Sequence, residues 1–388
     1  MPYTTMWSYT WDLTYESTAD TIAMLKQDIG LDAISVATAY HTYEMLCAHR
    51  EAGKFVRASE SAVYFQPEMT LYEDTPIKPH VSPTAVDHDP LREIGDACVA
   101  HGLGLTSWTV CLHNSLLAEK YPEHAQVTPF GDVLPHAPCP ASPAVQKYMT
   151  ALVRDLTSNY PITALELETL NYNGYSQGHY HEKSGLPIGP LESFLFSLCF
   201  CDHCQAKAET ENIDVGELRA SVCDKLNRFC EDGEASGQPI EDHVNSSEGM
   251  TAFVKMRADA VESLTRMVKG AVDVPVYYLL MGNYYGSGMD YREISKIVNR
   301  VEILAYSHDT EQVRNSIRNT CDHGIAPEQI HAGFGAYHPT SPDEATLIAT
   351  TEAAMEEGVS GFSYYNFGIM PARNLRWVKS AVARVNGG

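Results

Sequence analysis

The sequence predicts an α/β fold, a single (β/α)8 TIM barrel over residues 1–388. Two observations carry this, and a third removes its main rival. Short β-branched or aromatic runs alternate with amphipathic stretches, giving eight strand-then-helix units. Strands joined only through helices must pair in parallel, and eight right-handed crossovers can close into a ring. An open doubly wound sheet is disfavoured because no Gly-rich phosphate turn follows the first strand.

The strand runs fall at residues 6–11, 33–38, 105–110, 162–167, 274–281, 301–306, 330–334 and 361–365. Helical patterns follow at 17–29, 89–101, from 142, 248–272, 291–298, 311–321, 341–357 and from 371. Ser142-Pro143 pairs a capping residue with proline at the first helical position. Ser341 and Glu344 read as a capping box. Two insertions are expected, at residues 61–89 after the second strand and at about 171–247 after the fourth.

Lys and Arg number 27 against 50 Asp and Glu, a net charge of −23. Such a surface repels phosphate backbones and anionic lipid, so neither nucleic acid nor membrane is expected as a partner. No apolar run has the length of a membrane span, and the first residues lack a secretory pattern. The expectation is a cytoplasmic protein.

Barrel chemistry gathers at the C-terminal ends of the strands. These ends carry Trp11, Asp12, His41, His113, Glu168, Asn171, Tyr284, His308, Asp309, Tyr337, His338 and Asn366. Aromatic faces stack on the apolar faces of sugar rings, while amides and carboxylates hydrogen-bond hydroxyls. Lys and Arg are almost absent there, so the expected ligand is a neutral small-molecule carbohydrate rather than a phosphorylated one.

Cys199, Cys201 and Cys204 form C-x-C-x-x-C, with three thiols that repel one another when ionised. A soft cation such as zinc relieves this, and a closed structural site needs four ligands. Either His203 or a distant cysteine completes the set, and Cys139 in its proline-flanked turn is the best candidate. Reduced buried cysteines or a redox pair are the alternatives.

Cys139-Pro140-Ala141-Ser142-Pro143, a helix, a strand ending in glutamate and the C-x-C-x-x-C run together resemble the family 42 glycoside hydrolases, mainly over residues 135–210. The resemblance implies a clan A TIM-barrel β-galactosidase relative. It also implies a structural zinc held by Cys139, Cys199, Cys201 and Cys204, and Glu168 as acid/base. Homo-oligomers are common in that family, so one is possible here. Two features depart from the pattern. Leu167 stands where the clan has asparagine, and the seventh strand, His331 to His338, has no carboxylate for a nucleophile. A relative with rebuilt catalysis is implied.

Glycosidic cleavage normally uses two carboxyl groups. Glu168 is the expected proton donor, with Glu166 one layer deeper as a partner that raises its proton affinity. Asp309 is the expected second carboxylate, although the same residue is placed to cap the next helix, and Asp12 is a further candidate. Glu311 suits a structural role in the first turn of that helix. His179-Tyr180-His181-Glu182 reads as a metal pair, a lid or a solvated loop. The predicted activity is hydrolysis of a glycosidic bond. A sugar isomerase, epimerase or lyase, or a non-catalytic carbohydrate-binding barrel, are the alternatives.

Overall fold

The computed structural model describes residues 2–178 and 183–387; His179, Tyr180, His181 and Glu182 lie outside the described residues. Eight parallel strands form the expected ring: β1 (Tyr3–Tyr9), β2 (Ala33–Tyr40), β3 (Gly104–Val110), β4 (Ala164–Glu168), β5 (Val276–Leu279), β6 (Arg300–Leu304), β7 (Ile330–Gly335) and β8 (Gly361–Tyr365). Each pairs with its sequence neighbour, and β1 closes the ring by pairing with both β2 and β8.

Many outward residues of these strands are apolar. Leu165 and Leu167 of β4, Val301 and Ile303 of β6, and Phe334 of β7 join one large core with the surrounding helices. Those helices are α1 (Thr18–Met24), α2 (Pro90–His101), α3 (Pro143–Asn159), α4 (Glu248–Gly270), α5 (Tyr291–Ile297), α6 (Thr310–Cys321), α7 (Glu344–Glu356) and α8 (Asn374–Gly387).

Most inward residues are polar or aromatic. Strand register, combined with the stagger of about eight residues usual for such barrels, sorts them into layers of four from alternate strands. Thr5, Thr106, Tyr277 and His331 make a lower layer, and Ser35, Glu166, Glu302 and Ser363 the next. Trp7, Trp108, Leu279 and Gly333 lie above it. Ala37, Glu168, Leu304 and Tyr365 face the mouth. Gly333 has a steric reason, since a Cβ there would meet the Trp7 indole at 2.6 Å.

Several local expectations are corrected. β1 ends at Tyr9, so Trp11 and Asp12 lie in a helical turn, Thr10–Leu13. The Ser142 hydroxyl leaves its helix end uncapped and lies 3.1 Å from His124 Nδ1. The Ser341 capping box is replaced by Asp343, whose carboxylate accepts the Thr346 amide at 2.8 Å. Asp343 lies at the bend one residue before the helix, closer than Ser341 to the free amides. Glu344 instead accepts the Ser380 hydroxyl at 2.6 Å.

The excursion after β2 begins at residue 41 rather than 61, with a hairpin of Tyr43–Leu46 and Phe55–Ala58 ahead of the segment expected from sequence. After β4 the chain leaves the barrel for four helices, Pro190–Phe196, Asp202–Thr210, Val215–Asp232 and Ile240–Asn245. Their apolar faces, including Leu191, Phe194, Leu195 and Leu226, pack against Met250, Phe253 and Val254 at the start of α4.

Candidate active site and cysteine centre

β4 reads Ala-Leu-Glu-Leu-Glu, an alternation that turns both glutamates into the lumen while the leucines face the helices. Glu168 is 7% exposed and accepts the Trp108 Nε1–H at 2.6 Å. Burial pushes its carboxyl up to about 7, against the lowering effect of that hydrogen bond. At neutral pH a carboxyl so placed can hold or release a proton, the property a general acid requires.

Tyrosines surround it. Tyr9 Oη lies 2.7 Å from Tyr365 Oη and 3.2 Å from Tyr40 Oη. The rings of Tyr306 and Tyr337 pack against Tyr365. Burial raises the phenols of Tyr40, Tyr306 and Tyr365, and the charge of Glu168 adds to it. Trp11 continues the aromatic wall, stacked between Tyr9 and Tyr43 at 4.5 Å from each.

Two further carboxyls lie two layers below, so Glu166 is deeper than the single layer expected from sequence. Glu166 accepts the Trp7 Nε1–H at 2.9 Å and the Ser35 hydroxyl. Burial raises it to about 7, Ser35 and Trp7 lower it, and the charge of Glu168 raises it. Glu302 accepts the Ser363 hydroxyl at 2.5 Å. Burial holds its carboxyl well above the usual range, helped by Glu166 and then Glu168. Both are fully buried, and each keeps one carboxyl oxygen with no partner. Trp7 and Trp108, at 6.4 Å between ring centroids, separate this pair from the mouth and serve one layer each.

The other residues expected from sequence are distributed as follows. His41 and His113 lie just beyond β2 and β3, their ring centroids 4.7 Å apart and their planes tilted by 32°. Asn171 is buried, its amide donating to the Tyr172 carbonyl at 2.8 Å. Asn366 is buried, its oxygen accepting the Gly368 amide at 3.1 Å. Tyr337 is half-buried, and His308 and His338 are exposed.

Tyr284 belongs to the insertion side, packed on the four-helix cluster. Asp12 packs against Gly368, where a Cβ would meet its carboxylate at 1.8 Å. Burial raises Asp12 to about 6, opposed by Cys47 and Arg50.

Asp309 is corrected. Its exposed carboxylate turns back to cap α6, accepting the Glu311 amide at 2.8 Å, because the helix start offers free N–H groups and the lumen is occupied by Glu302. Sequence reasoning picks out Tyr40 at its strand end but missed Glu302, Trp7, Trp108, Tyr9 and Tyr365. All lie within strands or at their last residues, and only the alternation Arg-Val-Glu-Ile-Leu of β6 signals the buried glutamate.

The cysteines form a second centre. Cys139 follows the Val133–Pro138 strand, and Cys199, Cys201 and Cys204 come from the insertion. Cys139 Sγ lies 3.5 Å from Cys201, 3.5 Å from Cys204 and 4.0 Å from Cys199. All four sulfurs lie within 4.8 Å of one another and all four residues are buried. A disulfide needs about 2.05 Å, whereas a tetrahedral zinc with bonds of about 2.3 Å sets its sulfurs about 3.8 Å apart. The donor set therefore suits a soft tetrahedral cation. His203 is not in it, since its Nε2 lies 3.1 Å from His124 Nδ1. Among the described residues this is the only cluster of three or more such donors close enough to share a metal ion, and no helix is long and apolar enough to cross a membrane.

No family model and no curated protein matches the chain. Solved structures do match by fold. Over all of this chain and 49% of its own, α-L-fucosidase isoenzyme 2 from Paenibacillus thiaminolyticus aligns with a TM-score of 0.59 and 13% identity. The catalytic domain of β-amylase from Paenibacillus polymyxa aligns with a TM-score of 0.57 and 12% identity, over 99% of this chain and 98% of that one. A GH36 α-galactosidase from Geobacillus stearothermophilus, in complex with stachyose, gives 0.51 and 10% over all of this chain and 42% of that one. The chain thus spans about half the length of the fucosidase. At such identities the likeness is one of fold: a TIM barrel of the kind found in these glycoside hydrolases.

Proposed function

We propose that this chain is a glycosidase, cleaving the glycosidic bond of a neutral glycoside or oligosaccharide with Glu168 as proton donor. The observation that carries the reading is the Glu168 carboxyl at the barrel mouth, raised to about 7 by burial and fixed by Trp108. An acid still protonated near neutrality can protonate a leaving oxygen, and the half-buried rings of Tyr337 and Tyr365 offer aromatic surface for a sugar ring. His41, His113, Asn171, Asn366, Tyr337 and Asp12 are the proposed polar contacts. His308, His338 and Tyr284 are outlying ones. The names of the matched structures support the same class of substrate. Family 42 membership belongs to the proposal and rests on the cysteine pattern.

Cys139, Cys199, Cys201 and Cys204 would hold a structural zinc, which supplies a cross-link between the insertion and the barrel and takes no part in the chemistry. The test is turnover of a glycoside panel by the wild type and by Glu168→Gln. The variant is expected to fold normally and lose about 10²–10⁴ in kcat; unchanged turnover refutes the assignment.

A second reading is a carbohydrate-binding barrel without turnover. It is favoured by the burial of Glu166 and Glu302 under the tryptophan layer, which leaves Glu168 as the one glutamate of the three at the mouth. Saturable sugar binding with no hydrolysis across the panel selects it.

A further inference from the structure

Arg257 is a charged residue that neither the barrel mouth nor the lumen uses. It lies in the middle of α4 and is fully buried. Its Nη1 donates to the Tyr285 carbonyl and its Nη2 to the Gly286 carbonyl, both at 2.9 Å. Its Nε has no partner. Among the described residues it makes no ion pair, so a full positive charge is held in the interior against two carbonyl dipoles. An isolated buried charge is costly unless an opposite charge lies near.

The guanidinium faces one neighbour that leads to such a charge. Its Cζ sits 4.5 Å from the centroid of the Tyr172 ring, a cation–π geometry. Tyr172 is itself buried, and its Oη lies 3.4 Å from the Sγ of Cys204. Four thiolates on one divalent cation carry two net negative charges. Arg257, Tyr172 and Cys204 therefore form a continuous line from a lone buried cation to a centre that would be anionic when loaded.

We propose that Arg257 is the counter-charge of the four-cysteine metal centre, a positioning residue acting through Tyr172. Tyr172 gives its hydroxyl hydrogen to the Cys204 thiolate, and the guanidinium over its ring polarises that donor. The two carbonyl bonds fix the guanidinium to the Tyr284–Ser287 turn after β5, so the same contact ties metal retention to that turn. The inference rests on the cysteine centre holding zinc.

The experiment measures zinc affinity of the full chain by competition with a chromogenic chelator, for wild type, Arg257→Met, Arg257→Lys and Tyr172→Phe, with circular dichroism as the check on folding. Outer partners of metal ligands are worth about 10–100-fold in affinity. Arg257→Met is expected to weaken zinc binding by that factor and Arg257→Lys to restore most of it. Tyr172→Phe, which keeps the ring and removes the hydroxyl, is expected to lose about tenfold.

Folded Arg257→Met holding zinc as tightly as wild type overturns the proposal while leaving the zinc site standing. A wild type that binds no zinc overturns both. Should Arg257→Met fail to fold, Tyr172→Phe decides: undiminished affinity in that variant overturns the proposal.

Discussion

Two regions of this molecule bury acids side by side: the lumen, with Glu166, Glu168 and Glu302, and the root of the insertion, with Cys139, Cys199, Cys201 and Cys204. In the lumen each carboxyl has its own donor, a serine or an indole, and burial raises all three. At the cysteines the sulfurs crowd to 3.5–4.0 Å around Cys139. Burial and then the neighbouring thiols raise the Cys139 thiol, whereas Cys199, although burial raises it, is held well below its ordinary value by hydrogen bonds from the other three. The lumen is thus tuned to keep protons, which suits acid catalysis. The cysteine centre could hold a metal ion, which would suit the proposed cross-link.

The largest expected effect tests the metal side. Cys201→Ser, or prolonged chelation, should lower unfolding stability by at least about 3 kcal/mol, since structural zinc sites hold their metal by roughly 10–16 kcal/mol. The loss should fall on the insertion helices first. Chemical denaturation with and without chelator measures it; identical curves would reduce the tetrad to a packing feature.

The next effect tests the proton side. A carboxyl whose pKa is raised on folding binds more protons folded than unfolded across the interval between the two values, so stability falls as pH rises through it. For Glu166 that interval runs from 4.5 to about 7. Glu302 extends the loss upward from 4.5. Glu302→Gln removes one such penalty and should stabilise the protein by about 1–3 kcal/mol at pH 8, with little change at pH 4. Melting temperatures across that range check it; equal effects at both ends would contradict the buried-acid account.

The smallest effect concerns Trp108. Its indole N–H favours the charged form of Glu168. Trp108→Phe should therefore raise the pKa of Glu168 by up to about one unit and shift the alkaline limb of activity upward. A shift in the opposite direction would mean that the indole acts on the acid in some other way.

The ring of strands was legible because outward positions such as Leu165, Leu167, Val301 and Ile303 must be apolar to pack under helices, and that leaves a periodic mark. Cys199, Cys201 and Cys204 were legible because thiols at that spacing have few physical uses, whereas the spacing left the fourth position open between His203 and Cys139 and the family 42 resemblance implied Cys139. Glu302 was not. Site residues are sought at strand ends, and it sits in mid-strand, where the sequence shows only that polar and apolar residues alternate. Asp309 misled for a related reason. An acid between a strand and a helix looks the same in sequence whether it faces the lumen or caps the helix, and the free amides at Glu311 won. The boundary of the excursion after β2 was missed because the exposed, alternate positions of its hairpin include apolar Leu46 and Phe55, which blurs the polar–apolar alternation in the sequence.

The account stands on Glu168 being the proton donor, and its pH–rate profile tests this most directly. With a glycoside that the protein turns over, kcat/KM should fall above a pKa of about 7, and Glu168→Gln should abolish that alkaline limb together with most of the rate. A Glu168→Gln enzyme that keeps both the rate and the limb would contradict it.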